Sequence, residues 1–335
     1  MKYLTDRRRF LTLAAASATY GKAWAQAMPK VNIGVASASL PGGVVRIVKE
    51  MGLFEKNGLD VNVSVLDSGS VGMAAMVAGS LQFMTSAGTE IIFPQSRGQK
   101  VVALLPVYGS FAAVLVLATD VARKLGVSPV ASVEERLKAL DGLLIACPAA
   151  TSSYTLALRP AAESAGAKPR ITYMTMQTMV SALESGAVQG FIASSPYYAV
   201  APLRGSGVIW INGPRSEFPE QFTPASASII SAMRDYVVAN PDVVRRVAAA
   251  LREFSNAVTA RANDVKRAIS KLFPDIDAKT LDFIFQMEAA GFQTRAVTVA
   301  DMAREIAFLK AGGTNVPNID QIQPADLMMP LPAPR

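Results

Sequence analysis

Histidine is missing from all 335 residues, and cysteine occurs once. The first absence excludes Ser-His-Asp and Cys-His catalysis and every metal site built on imidazole, leaving only carboxylate or lysine chemistry open to an enzyme. The second excludes an intrachain disulfide. Cys147 lies in the apolar run 143–147 and reads as a small core residue. Charged residues make up only 18% of the chain while hydrophobic ones reach 51%, a balance that suits a packed globular protein and excludes a disordered one. The apolar run 112–118 is too short to cross a bilayer. No basic stripe interleaved with aromatics is present, so nucleic acid is not an expected partner.

What is present begins with an address. In "DRRRFLTLAAASATYGKAWAQA", Arg7, Arg8 and Arg9 precede a short apolar run, and two small-x-small sites follow, Ala23-Trp24-Ala25 and Ala25-Gln26-Ala27. Residues 1–27 therefore read as a signal peptide. Arg7-Arg8-x-Phe10-Leu11 matches the twin-arginine type, which implies delivery to the periplasm. This segment holds five basic residues against Asp6, a net +4 of the chain's +7, so the mature chain is only mildly basic at +3.

The length allows two domains. Val31, Ile33 and Val35 alternate with smaller or polar residues as in a strand. Pro41-Gly42-Gly43 then opens a helix with one apolar face, closed by Gly52, and Val61, Val63 and Val65 mark a second strand. Strands and helices keep alternating to about residue 106, and again from about 143 to 211, the grammar of βαβ units and mainly parallel sheets. The apolar runs 112–119 and 225–231 flank the second set and read as crossover strands of a hinge. Lobe 1 is expected at 28–118 and 226–335, and lobe 2 at 119–225. Thr119, Asp120 and residues 224–226 are expected to absorb hinge motion. Helices are expected from Asn240, near 278–290 and near 299–311.

Hydroxyl clusters recur where strands end and helices begin: Ser37 and Ser39 (beside Leu40), Ser68 and Ser70, Ser86, Thr151 with Ser152 and Ser153, and Ser194. Ligands of open α/β sheets bind there, and helix N-termini offer unpaired N–H groups to anions. Serine and threonine are also favoured helix caps with no ligand at all. The five-fold recurrence across two lobes points to a small polar solute held between them. Glu90 is the one acidic residue close to this set, placed either to pair a ligand amine or to complement a helix dipole. Tyr197 is a further candidate donor to the solute, and Tyr108, Tyr154 and Tyr198 are candidate walls for an aromatic ligand.

"GLFEKNGLDV" (52–61), "AAMVAGSLQFMTSAGTEIIFPQSRGQKVVAL" (74–104), "SALESGAVQGFIASSPYYA" (181–199) and "ANPDVVRRVAAALREF" (239–254) stand in the order seen in one family. They resemble the periplasmic solute-binding proteins of the nitrate, sulfonate, taurine and thiamine-pyrimidine-precursor group. Gln82 and Gly190 stand where an aspartate is usual, and "LKALDGLLI" is a weaker form of the usual entry to the second lobe. The resemblance implies an α/β, two-lobed type II periplasmic binding protein that captures a small organic anion. It implies an ABC permease and ATPase as partners, a monomer, and no cofactor. A sensor for a membrane receptor, or an enzyme acting on a small metabolite with the same scaffold, are the alternatives.

Overall fold

A computed structural model describes residues 27–36, 39–66, 68–150 and 152–332. The signal-peptide reading, Ser37 and Thr151 lie outside the described residues. Ten strands are present among the latter: β1 (Lys30–Val35), β2 (Asp60–Val65), β3 (Phe83–Ser86), β4 (Val101–Tyr108), β5 (Val114–Ala118), β6 (Leu144–Cys147), β7 (Arg170–Tyr173), β8 (Gly190–Ala193), β9 (Gly207–Asn212) and β10 (Ser228–Met233). They form two five-stranded sheets, ordered β2-β1-β3-β10-β4 and β7-β6-β8-β5-β9.

The two sheets have the same plan. β1 runs parallel to β2 and β3, and β6 runs parallel to β7 and β8. One strand in each sheet runs against its neighbours: β10 against β3 and β4, and β5 against β8 and β9. These odd strands are the crossovers. β5 follows β4 but belongs to the second sheet, and β10 follows β9 but belongs to the first. The expected two-lobed α/β architecture with two crossover strands is what the chain adopts.

The first crossing lies at 109–113, between β4 and β5, because β5 is hydrogen-bonded wholly within the second sheet. The expectation of a boundary after residue 118, with Thr119 and Asp120 as hinge, is corrected accordingly. Thr119 sits inside the second lobe, where its N–H donates to Ser206 O at 3.1 Å and its hydroxyl to Gly205 O at 2.8 Å. After β3 the chain makes a 3-10 turn, Gly88–Ile91, continued by the short helix Ile92–Gln95.

Period-2 patterning places Val31, Ile33 and Val35 in the core, with Asn32 outward. The helix Pro241–Ala260 buries Val244, Val247, Leu251, Phe254 and Val258, the stripe expected of a 3.6-residue repeat, and starts with proline at a position where the missing N–H costs nothing. Helices Pro241–Ala260 and Ala262–Leu272 pack on the first lobe's helix Val44–Glu50. Helix Ala278–Glu288 packs on the second lobe's helix Tyr197–Arg204. Helix Val299–Ala311 packs against the 3-10 turns Gly88–Ile91 and Glu220–Phe222. The carboxy-terminal helices thus lean on both lobes.

The structural repeat also re-registers one sequence comparison. Gln82, just before β3, accepts the Asn32 N–H through Oε1 at 2.8 Å. Gln189, just before β8, accepts the Leu144 N–H through Oε1 at 2.9 Å. Gln189, and not Gly190, is therefore the counterpart of Gln82. Gly190 itself faces the sheet interior, where a Cβ would come within 2.5 Å of a Leu117 methyl. Removing the Gln189 amide should cost about 1 kcal/mol, because the Leu144 N–H is part-buried. Gln82→Ala should cost less, since water reaches the exposed Asn32 N–H. Urea unfolding of the two variants checks this order.

Candidate functional site

A cavity of about 1020 Å³ opens between the sheets, and a smaller one of about 150 Å³ shares Ala87, Ser152, Ser153, Tyr154 and Ala227 with it. Its first-lobe wall includes Ser39 after β1, Ser70 in the opening turn of helix Gly69–Val77, Ser86 ending β3, and Glu90 in the turn that follows. The larger cavity's second-lobe wall includes Ser152, Ser153, Tyr154 and Leu156, where β6 leads into helix Ser153–Ser164. Seven of the residues expected from sequence therefore meet around one space. They do so because each follows the carboxyl end of a parallel strand, and those ends face each other across the crossings.

Several of these hydroxyls are already engaged. Ser152 caps its helix, accepting the Thr155 N–H at 3.3 Å and donating to Ala149 O at 3.0 Å. Ser86 donates to Ala87 O at 3.2 Å. Ser39 accepts from the Gly42 N–H at 3.4 Å. The Ser153 hydroxyl has no hydrogen-bond partner among the described residues, and the residue lines the cavity. Burial pushes the Tyr154 phenol up to about 12, opposed in part by the nearby Ser194 hydroxyl.

Six expected residues do not line this space, among them Tyr198, which is wholly buried. Ser68 caps helix Gly69–Val77 and shares a 3.0 Å hydrogen bond with Ser70. Leu40 is wholly buried, and its N–H donates across the lobes to Ser195 O at 3.3 Å. Tyr108 is not a cavity wall but a buried core residue, with its ring edge-on to Phe292 and its hydroxyl on Glu288. Ser194 is buried against Met176, and the Tyr197 hydroxyl accepts from Gln177 at 3.2 Å. Thr85, Thr89, Ser228 and Arg97 line the cavity without having been singled out. Ser228 carries a buried hydroxyl with no partner.

Sequence reasoning also missed two carboxyls at the crossings. Glu288 and Glu305 lie on helices that look solvated in sequence, yet both are wholly buried. Oε2 of Glu288 accepts from Tyr108 at the end of β4 (3.1 Å) and from Ser195 after β8 (2.9 Å), joining one lobe to the other beside the first crossing. The Tyr198 hydroxyl lies within electrostatic reach of Glu288 but completes no hydrogen bond, and Oε1 of Glu288 is likewise unpaired. The contact is tight. The Gly109 N–H donates to Gly291 O at 2.8 Å, and a Cβ on Gly291 would fall 2.4 Å from the Tyr108 ring. Oε1 of Glu305 accepts from the backbone N–H groups of Ala225 (2.9 Å) and Ser226 (3.3 Å) on the second crossing. Arg304 fastens the same segment through Thr223 O at 2.9 Å and Glu220 at 2.7 Å. Burial raises Glu288 to about 7 and Glu305 to about 8, against the hydrogen bonds that each accepts.

A family model described as the NMT1-like family matches residues 25–273. The chain belongs to the NMT1-like family. A candidate binding protein of Brucella abortus (strain 2308) is 27% identical to this NMT1-like chain over 297 residues, covering 87% of it and 82% of the relative. The periplasmic aliphatic sulphonate binding protein SsuA of Escherichia coli shares its fold, with a TM-score of 0.67 at 21% identity over 89% of this chain and 98% of SsuA. The periplasmic nitrate-binding protein NrtA of Synechocystis PCC 6803 does so with a TM-score of 0.58 at 14% identity, over 90% and 87% of the two chains. Among the described residues, no group of acidic or cysteine side chains is arranged to hold a metal, and no helix is long and apolar enough to cross a membrane.

The two buried acids fix a pH dependence. An acid whose pKa is higher folded than unfolded favours the folded state in its protonated form. That stability is complete below the unfolded value near 4.5 and is lost as pH rises towards about 7 for Glu288 and about 8 for Glu305. Thermal unfolding of the NMT1-like chain should therefore occur at lower temperature at pH 8.5 than at pH 5.5. Glu288→Gln together with Glu305→Gln should flatten the difference. An unchanged pH profile in the double variant would remove these two groups from the explanation.

Proposed function

We propose that this chain is the solute-receiving component of an ABC importer in the periplasm. It captures a small organic solute bearing an oxyanion group, such as a sulfonate or carboxylate, and presents it to a permease and ATPase. The observation that carries the reading is the cavity lined by hydroxyls of both lobes at the carboxyl ends of their strands. Neutral donors and backbone N–H groups at the helix starts would hold an oxyanion without a full countercharge. A solute touching Ser39, Ser70 and Ser86 on one side and Ser153 on the other favours whichever arrangement brings the lobes together, and its differential contacts set the size of that bias.

The mature protein, screened by thermal shift against sulfonates, carboxylates and aminopyrimidines, should respond to a subset. A ligand at ~100 times its dissociation constant adds about 2.7 kcal/mol. Against the strongest hit, Ser39→Ala or Ser153→Ala should each lower affinity about 2- to 12-fold, with little loss of fold stability. Both variants binding like the parent would move the site elsewhere. Export is expected to use the arginine pair. Arg7→Lys with Arg8→Lys should leave the precursor in the cytoplasm, and continued delivery through the general secretory route would contradict this.

A further inference from the structure

Glu288 is the last residue of helix Ala278–Glu288, the end at which the helix dipole disfavours a negative charge. It is wholly buried, and the groups that act on it are hydroxyls, with no cation among them. Its Oε2 is shared by Tyr108 of the first lobe (3.1 Å) and Ser195 of the second (2.9 Å). The Ser195 carbonyl also accepts the Leu40 N–H of the first lobe at 3.3 Å, so Ser195 is held across the lobes by its backbone and its side chain. Leu40 directly follows Ser39, which lines the solute cavity. Oε1 of Glu288 and the Tyr198 hydroxyl are buried without partners, so water admitted here would satisfy two atoms that the closed cluster leaves unsatisfied.

The other ionisable groups around this carboxyl keep their charge state. Burial holds the phenols of Tyr108 at the end of β4 and Tyr198 on helix Tyr197–Arg204 above the ordinary value, and Tyr154 on helix Ser153–Ser164 at about 12. All three stay neutral across the range in which Glu288 titrates. Arg204, at the far end of helix Tyr197–Arg204, pairs with Glu184. Arg215, in the 3-10 turn Gly213–Arg215 that packs on helix Ala278–Glu288, is exposed and acts on Tyr198. Glu288 alone therefore changes charge inside the cluster.

We propose that Glu288, Tyr108 and Ser195 form a proton-controlled clasp between the lobes, closed over the neutral carboxyl and released by the carboxylate. In the neutral form one oxygen accepts from both lobes and no charge is buried. Ionisation leaves a charge with neither counter-ion nor water, and parting Tyr108 from Ser195 lets water reach it. Burial raises Glu288 to about 7 in the clasped arrangement, and hydration returns it towards the ordinary 4.5. Low pH therefore favours the clasp. The ratio of parted to clasped molecules rises by up to about tenfold per pH unit between those two values and levels off above them. This bias acts on the empty protein, whichever solute the chain receives.

The test is amide hydrogen exchange and small-angle X-ray scattering of the full mature chain without solute, at pH 5.5 and pH 8.5. Parent, Glu288→Gln and Glu305→Gln are compared, with circular dichroism to confirm folding at each pH. In the parent, protection of the Leu40 N–H, corrected for the intrinsic rate, should fall at least about tenfold at pH 8.5 relative to that of Ile33 in β1. The radius of gyration should grow with it. Glu288→Gln keeps a neutral acceptor for both hydroxyls and should hold its pH 5.5 values at both pH values. Glu305→Gln leaves the clasp acid in place and should follow the parent. Equal protection and radius in the parent at both pH values, or the same pH change in Glu288→Gln, overturns the clasp. If Glu288→Gln does not fold, Glu305→Gln decides: a pH change kept there supports the clasp, and one lost there belongs to the second crossing and overturns it. Solute binding is not required for any of these outcomes, so the receptor reading stands or falls separately on the thermal-shift screen.

Discussion

Two short crossings carry every covalent link between the sheets, and each is tied down by a buried carboxyl from the carboxy-terminal helices. Glu288 holds Tyr108 and Ser195 together at the first, and Glu305 collects two backbone N–H groups at the second. This constraint sets the geometry of everything else. Because β5 and β10 are the antiparallel members of their sheets, the parallel strands of both lobes aim their carboxyl ends at one another. The cavity is the consequence of that aim. Protonated acids at such positions need no counter-ion, and their hydrogen bonds can yield without stranding a charge. Each crossing is thus braced by hydrogen bonds to one buried carboxyl.

The parts of the molecule legible in the sequence were those where a physical period is strong. Alternation at Val31, Ile33 and Val35 and the buried stripe of helix Pro241–Ala260 follow from elementary geometry. The hydroxyl clusters were legible because strand ends and helix starts select serine and threonine whether they cap or bind. Ser152, which caps and also lines the cavity, does both jobs at once. The first crossing was harder. Residues 101–118 form an almost unbroken apolar run, since β4 and β5 are buried on both faces and show no alternation. Only Gly109 and Ser110 mark the break, and the sequence reading passed over them.

Glu288 and Glu305 were illegible for a different reason. A glutamate in a helix normally marks the solvated face, and nothing local separates one that is buried by a distant element. Their partners stand some 80 to 180 residues away in the chain. The short helices Thr119–Leu125, Val133–Lys138, Arg234–Ala239 and Ala262–Leu272 went unread as well. Most span fewer than two turns, too little for a 3.6-residue period to declare itself. Tyr108 was misplaced because aromatic side chains suit a ligand wall and a core equally, and only the tertiary packing on Phe292 and Glu288 decides between them.

The site gathers hydroxyls and helix starts from the strand ends of both lobes around one space. In the proposed receptor a solute there would act through one mechanical event, the approach of the two lobes about the crossings at 109–113 and 213–227. Small-angle X-ray scattering of the mature protein, with and without a saturating amount of the solute that gives the largest thermal shift, measures that event most directly. Closure about these crossings predicts a smaller radius of gyration in the bound state. Superimposable curves at demonstrated saturation would contradict a receptor that works by closing on its solute.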